Sequence, residues 1–283
     1  MLQSIKKRVM SGITVVAAGI LLATPVLGAD PVRINGSGSG LHMLKPLIEA
    51  YSKANPEAQF EMDKPLGSSG SIKALMAGVV DIAVSSRALK PEESQAGATL
   101  EKYGQTPLAL VAHKGVTKKD LTTQELVDIF AGKTQNWPDA QPIRLVLRPV
   151  EDADTKLLRK LSPEMDAAIT SAQERPGMTI AVTDPEAVEA IAKTPGSLGA
   201  SGLTGVIVER LPLAVINLNG VAPTPETLAK GSFPFAKALD FVTINTALPE
   251  AAKKFLAFVY SPEGRKVAEA AGVLITAGEK SPF

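Results

Sequence analysis

The chain of 283 residues contains no cysteine. That excludes disulfides, thiolate metal sites and a lipid anchor carried on cysteine, so stability must come from a packed core. Histidine occurs only twice, as His42 and His113, far apart in sequence. A soft-metal centre lacks its ligands, and each lone histidine reads as structural rather than as a catalytic base. No strong charge of either sign is present, the formal net charge being +1. Bulk attraction to nucleic acid or to an anionic membrane is therefore excluded, and any anion site must be local. Beyond the N-terminal region no apolar run approaches the ~18 residues of a membrane span.

The N-terminus has the layout of a secretory signal. Lys6, Lys7 and Arg8 form a basic region, Ile13 to Ala23 a short apolar run, and Val26-Leu27-Gly28 the approach to a cut expected after Gly28. An uncleaved membrane anchor is the competing reading. Removing residues 1–28 leaves 27 basic and 29 acidic residues, a net charge of −2. The remaining chain suffices for one large domain or two medium ones. A soluble periplasmic protein is expected.

What is present is a pair of Ser/Gly loops, Gly36-Ser37-Gly38-Ser39-Gly40 and Gly67-Ser68-Ser69-Gly70-Ser71. Each follows a strand-like segment (32–35 and 60–64) and precedes residues at helical spacing. Glycine leaves backbone N–H groups uncovered, serine adds hydroxyls, and a helix start adds unpaired donors and a positive dipole end. Two such loops facing one cleft would hold a small anion. The same residues also make ordinary turns, and Ser39 or Ser71 as a simple helix cap is the alternative. Asp81 to Val84 reads as a further strand ending at Ser85-Ser86-Arg87, and Ile143 to Leu147 as one ending at Arg148. This strand–loop–helix alternation predicts an α/β fold with a largely parallel sheet, in which ligands collect at the carboxyl ends of strands. Helices are expected from the capping box Thr122-Thr123-Gln124-Glu125, from Asp184-Pro185 with the acid as cap, and over 249–260 and 262–271.

Enzyme motifs fail on inspection. Neither loop reads Gly-x-Ser-x-Gly, so no nucleophile elbow is formed. Gly132-Lys133-Thr134 resembles the end of a phosphate-binding P-loop, but Val127 stands where that motif needs glycine, and a helix rather than a strand precedes it. No cofactor is implied.

Taken in order, the two Ser/Gly loops, Asp81 to Arg87, Leu126 to Trp137, Gly231-Ser232-Phe233-Pro234-Phe235 and Ser261-Pro262-Glu263-Gly264 resemble the periplasmic phosphate-binding proteins of ABC transporters. The resemblance covers nearly all of the mature sequence. It implies a two-lobed periplasmic-binding-protein fold, each lobe a mostly parallel sheet flanked by helices, joined by two hinge strands. Lobe one would comprise 29–108 and 215–283, lobe two 109–214. It further implies a monomer without nucleic-acid contacts that clamps a small anion and delivers it to a permease in the inner membrane. Carried over, the anion contacts would be Ser37, Gly38, Ser39, Ser68, Ser69, Gly70, Ser86 and Arg87 from the first lobe, and Arg148 and Thr155 from the second.

The second half departs from the family. After its arginine the family has a run such as Asp-Gly-Ser-Gly-Thr. Here Arg148 leads into Pro149-Val150-Glu151-Asp152-Ala153-Asp154-Thr155, with no glycine and three acids. One carboxylate about 4 Å from an anion costs roughly 4 kcal/mol at an effective dielectric of 20, about three decades of affinity. Either most of these acids face solvent, or the solute is not phosphate. Asp154 as the cap of the following helix is the reading preferred for that residue. A scaffold or sensor of the same fold, a binder of another small solute, and a secreted hydrolase remain as alternatives, the last lacking a base.

Overall fold

The computed structural model describes residues 30–244, 246, 248–278 and 280–283. The expected signal segment and its cleavage site lie outside them. No helix among the described residues is long and apolar enough to cross a membrane.

The chain opens with β1 (Val32–Gly36), α1 (Gly38–Ala54), β2 (Phe60–Met62), α2 (Gly67–Met76) and β3 (Ile82–Ser85). A short α3 (Pro91–Gln95) leads into β4 (Thr99–His113), fifteen residues long. Then come β5 (Asp120–Leu121), α4 (Thr123–Phe130), β6 (Arg144–Leu147), α5 (Ala153–Arg159), α6 (Pro163–Glu174) and β7 (Thr179–Ile180). They are followed by α7 (Asp184–Lys193), β8 (Ser197–Gly202), α8 (Leu203–Glu209), β9 (Leu213–Leu218) and α9 (Pro225–Ala229). The last elements are β10 (Ala236–Thr243), α10 (Glu250–Val259), α11 (Pro262–Ala270) and β11 (Leu274–Ile275).

β4 joins the two lobes. Its first part, Thr99–Pro107, pairs with β10, and Leu108–Ala112 pairs with β8. The strand order is β2-β1-β3-β10-β4-β8-β6-β7, with β9 and β11 pairing β4 off this path. The largely parallel pairing expected holds at the flanks, β2-β1-β3 and β8-β6-β7. The centre is antiparallel, because β10 runs back against both β3 and β4, so the sheet is mixed.

Two cores flank the crossing. In the first lobe Leu41, Leu44 and Leu47 of α1 pack with Phe255, Leu256 and Val259 of α10 over one sheet face, and Ile72 and Leu75 of α2 cover the other. In the second lobe Leu126 and Phe130 of α4 meet Met165 and Ile169 of α6, while Ala187 and Ile191 of α7 cover the opposite face. The expected boundary at residue 215 falls inside β9. That strand pairs with β4 and β5, and Ile216, Leu218, Phe233 and Phe235 belong to the second core. The chain therefore returns near Phe235, whose carbonyl accepts from Leu108 N–H at 3.0 Å, rather than at 215.

Two caps differ from expectation, and at α1 the cap is Ser37 rather than the alternative Ser39. α1 starts at Gly38 with Ser37 as its cap, placing Pro46 in its interior, where a proline cannot donate to the carbonyl four residues back. Asp152, not Asp154, caps α5 by accepting from Asp154 N–H at 2.9 Å. Thr183, not Asp184, caps α7 in a capping box with Glu186. Both displaced aspartates are thereby free for other work.

Candidate functional site

A cleft of about 300 Å³ lies between the starts of α1 and α2 on one side and those of α5 and α7 on the other. Asn35 at the end of β1 ties the two Ser/Gly loops together. Its Oδ1 accepts from Gly36 N–H at 2.8 Å and Leu66 N–H at 2.9 Å, and its Nδ2 donates to Lys64 O at 3.2 Å. The two segments thus face one cleft, as the first turns of α1 and α2.

Within them the hydroxyls have separate partners. Ser37 Oγ accepts from Gly40 N–H at 3.2 Å and from Ser86 Oγ at 2.9 Å, and Ser68 Oγ accepts from Ser86 N–H at 2.8 Å. Arg87 Nε donates to Ser69 Oγ at 3.1 Å, while its fork grips Glu93 at 2.8 and 2.6 Å. That guanidinium holds the Glu93 carboxyl below its usual range. Ser37, Gly38, Ser68, Ser69 and Arg87 line the cleft; Ser86 supports them from behind, and Gly70 lies one residue further along α2. Leu66 precedes α2 and provides no side-chain cap, so the first turn of this helix, whose Gly67, Ser68 and Ser69 line the cleft, starts without a capping side chain.

Across the cleft, Arg148 is 8% exposed. Its Nη1 donates to Ala181 O at 2.8 Å, and its Nη2 lies 2.7 Å from Asp152 Oδ2 and 3.3 Å from Asp184 Oδ1. Thr155, expected as an anion contact, turns away and donates to Arg148 O at 3.2 Å. Ser39, expected to face the solute, is fully buried and donates to Asp184 Oδ2 at 2.8 Å.

Sequence reasoning missed Lys237 and the role of Asp184. Lys237 projects inward from β10, 2% exposed, with its ammonium 2.5 Å from Asp154 and 3.1 Å from Asp184. Burial pushes the Asp154 carboxyl up to about 7 against the pull of Lys237, with the charge of Asp184 adding to the rise. Burial alone would raise Asp184 too, but Lys237 and Arg148 outweigh it and hold this carboxyl below the usual range. Each of the three acids after Arg148 has a cation beside it: Glu151 pairs with Lys156 at 2.6 Å, Asp152 with Arg148 and Asp154 with Lys237, the last two cations being shared with Asp184. Glu151 and Asp152 line the cleft, whereas Asp154 is buried behind it. The signal for Lys237 lay in its own strand, where Lys237, Leu239 and Phe241 alternate on one face. A lysine in such a row must find buried acids.

Comparison with known proteins agrees with this architecture. The phosphate-binding protein PstS of Borreliella burgdorferi is 27% identical, over 86% of this chain and 89% of that protein. That of Pseudomonas aeruginosa is 25% identical, over 92% of each. A Clostridium perfringens protein, assigned as a phosphate ABC transporter substrate-binding protein and solved with bound phosphate, superposes with a TM-score of 0.72 at 26% identity, covering 87% of this chain and all of that one. Residues 23–263 match the family model of the PBP superfamily domain, and the chain belongs to that superfamily.

Proposed function

We propose that this chain is a periplasmic solute-binding protein that clamps an oxyanion, phosphate foremost, and delivers it to the permease of an ABC transporter without covalent chemistry. The observation that carries the reading is the uncapped start of α2, which places Gly67, Ser68 and Ser69 against a cleft walled on the far side by Arg148. Helix starts with free donors favour anions, and a guanidinium supplies a planar fork for an oxyanion. Relatives named for phosphate binding support phosphate as the solute. Glu151 and Asp152 do line the cleft, the arrangement that weighs against phosphate, but their charges are offset by Lys156 and Arg148. A carboxylate beside Arg148 can accept from the O–H of hydrogen phosphate, which sulfate lacks at neutral pH.

Isothermal titration of residues 29–283 with phosphate, sulfate, molybdate and tungstate tests this. Phosphate is expected to bind, and more tightly than sulfate. Absence of heat with all four overturns the reading. One observation favours a second reading, a sensor or scaffold that has lost its anion. Arg87, Arg148, Lys156 and Lys237 each already hold a carboxylate of the protein. A partner captured by a protein whose melting temperature does not respond to any oxyanion would support it.

A further inference from the structure

The carboxylate of Asp184 sits where an external anion was expected, at the first turn of α1. Three donors converge on it from three parts of the fold. Ser39 Oγ of α1 is 2.8 Å from Oδ2, Lys237 Nζ of β10 is 3.1 Å from the same oxygen, and Arg148 Nη2 at the end of β6 is 3.3 Å from Oδ1. Hydroxyl, ammonium and guanidinium are the donor chemistry of an oxyanion site. The backbone is shaped to the side chain as well. A Cβ on Gly38 would lie 2.4 Å from Asp184 Cβ, so only glycine at that position lets the second lobe approach so closely. Asp184 is 3% exposed, and the capping of α7 falls to Thr183 instead.

We propose that Asp184 is an affinity-setting residue, a built-in carboxylate that fills the anion place at the start of α1 and shares Arg148 with any solute. This rests on the oxyanion reading given above. A solute arriving at Arg148 meets a guanidinium already shared between Asp152 and Asp184, and repulsion by Asp184 acts across that one group. Native affinity is therefore held below what the donors permit, and the solute's place moves from α1 to the uncapped start of α2. Ser39 then serves the protein's own carboxylate.

Asp184→Asn keeps the shape of the side chain and an oxygen that can accept from Ser39 and Lys237, while it removes the charge and puts an NH2 donor where Oδ1 met Arg148, releasing that guanidinium for the solute. The cluster of Arg148, Lys237, Asp152, Asp154 and Asp184 goes from two cations against three acids to two against two, so the variant retains its fold; its melting temperature verifies this. Phosphate titrated into Asp184→Asn is expected to bind about tenfold or more tightly than to the native protein. Glu189→Gln, on the outer side of α7 and paired only with Lys193, is expected to leave affinity unchanged. If the native protein binds phosphate and Asp184→Asn binds no more tightly, the inference falls while the functional reading stands. If neither binds any oxyanion, the functional reading falls. A second measurement does not depend on the solute. Asp184→Ala empties the carboxylate's place and keeps its three donors. Formate in excess should raise the melting temperature of that variant and not of the native protein, and no selective rise overturns the inference.

Discussion

Lys237→Met replaces a buried ammonium by an apolar chain of similar length. The native ammonium lies 2.5 Å from Asp154 and 3.1 Å from Asp184, with all three side chains nearly inaccessible. Removing one partner from a buried ion pair costs about 3–5 kcal/mol, because the remaining charge is left unpaired. For a chain of this size each kcal/mol moves the melting temperature by about 2–4 °C, so the expected drop is roughly 6–20 °C. The loss depends on pH, and its sign follows from Asp154. In the native protein its carboxyl is already raised from 3.8 to about 7. Without Lys237 it rises further, so at pH 6 the carboxyl takes a proton and most of the unpaired charge disappears. At pH 8 a larger share of the penalty remains. Asp184 keeps Arg148 at 3.3 Å in either case. Urea unfolding of both proteins at pH 6 and pH 8 measures the difference. A loss below about 1 kcal/mol at pH 8, or equal losses at both pH values, refutes the assignment of Lys237 as the counter-ion of Asp154.

Native stability should itself respond to pH. Asp154 titrates higher folded than unfolded, so its contribution is complete below about pH 4 and is lost as pH rises through 7, by up to about 1.4 kcal/mol per unit; Asp154→Asn should flatten this slope in calorimetry. Asp184 is shifted the other way, and its contribution is lost as pH falls below about 4. Gly38→Ala forces a methyl group against Asp184 and should weaken phosphate binding by more than about tenfold, read by titration, through loss of the close approach between lobes. If Arg148 holds the solute as proposed, Arg148→Ala removes one charge-assisted contact and should likewise cost more than about tenfold in affinity; an unchanged dissociation constant would count against its place in the site. Asp152→Ala takes the cap from α5 and should lower stability by about 1 kcal/mol in urea unfolding.

Local signals were readable wherever chemistry and chain neighbourhood coincide. The Ser/Gly segments, the capping box at Thr122 and the Ser261-Pro262 helix start each depend on residues within one turn of each other; the last two form where the spacing places them, while the Ser/Gly segments are largely the first turns of α1 and α2 rather than loops before them. β10 escaped because Lys237 and Asp240 interrupt its apolar character, and its two neighbours in the sheet come from much earlier in the chain. The boundary at 215 misplaced the return for the same reason, since the sequence of β9 does not say which strand it joins. Asp154 and Asp184 read as caps in the sequence because each is an acid beside a helix start. Asp152 and Thr183, one or two residues earlier, filled that role with better geometry. What decided the fate of both acids was a lysine on a distant strand, and no spacing rule connects them.

The place of β10 between β3 and β4 sets an order in time. β3 and β4 are close in sequence, yet in the sheet they are held apart by a strand that begins at Ala236. During synthesis the chain produces β1 to β4, then the entire second lobe, and only afterwards the piece that completes the first. Until then β3 and β4 each carry an unpaired edge, and closing so long a loop is slow. The second lobe has its own core by then and can settle early, while the first waits for nearly the whole chain. The elements made first, β1 to the start of β4, are thus among the last to be locked in place.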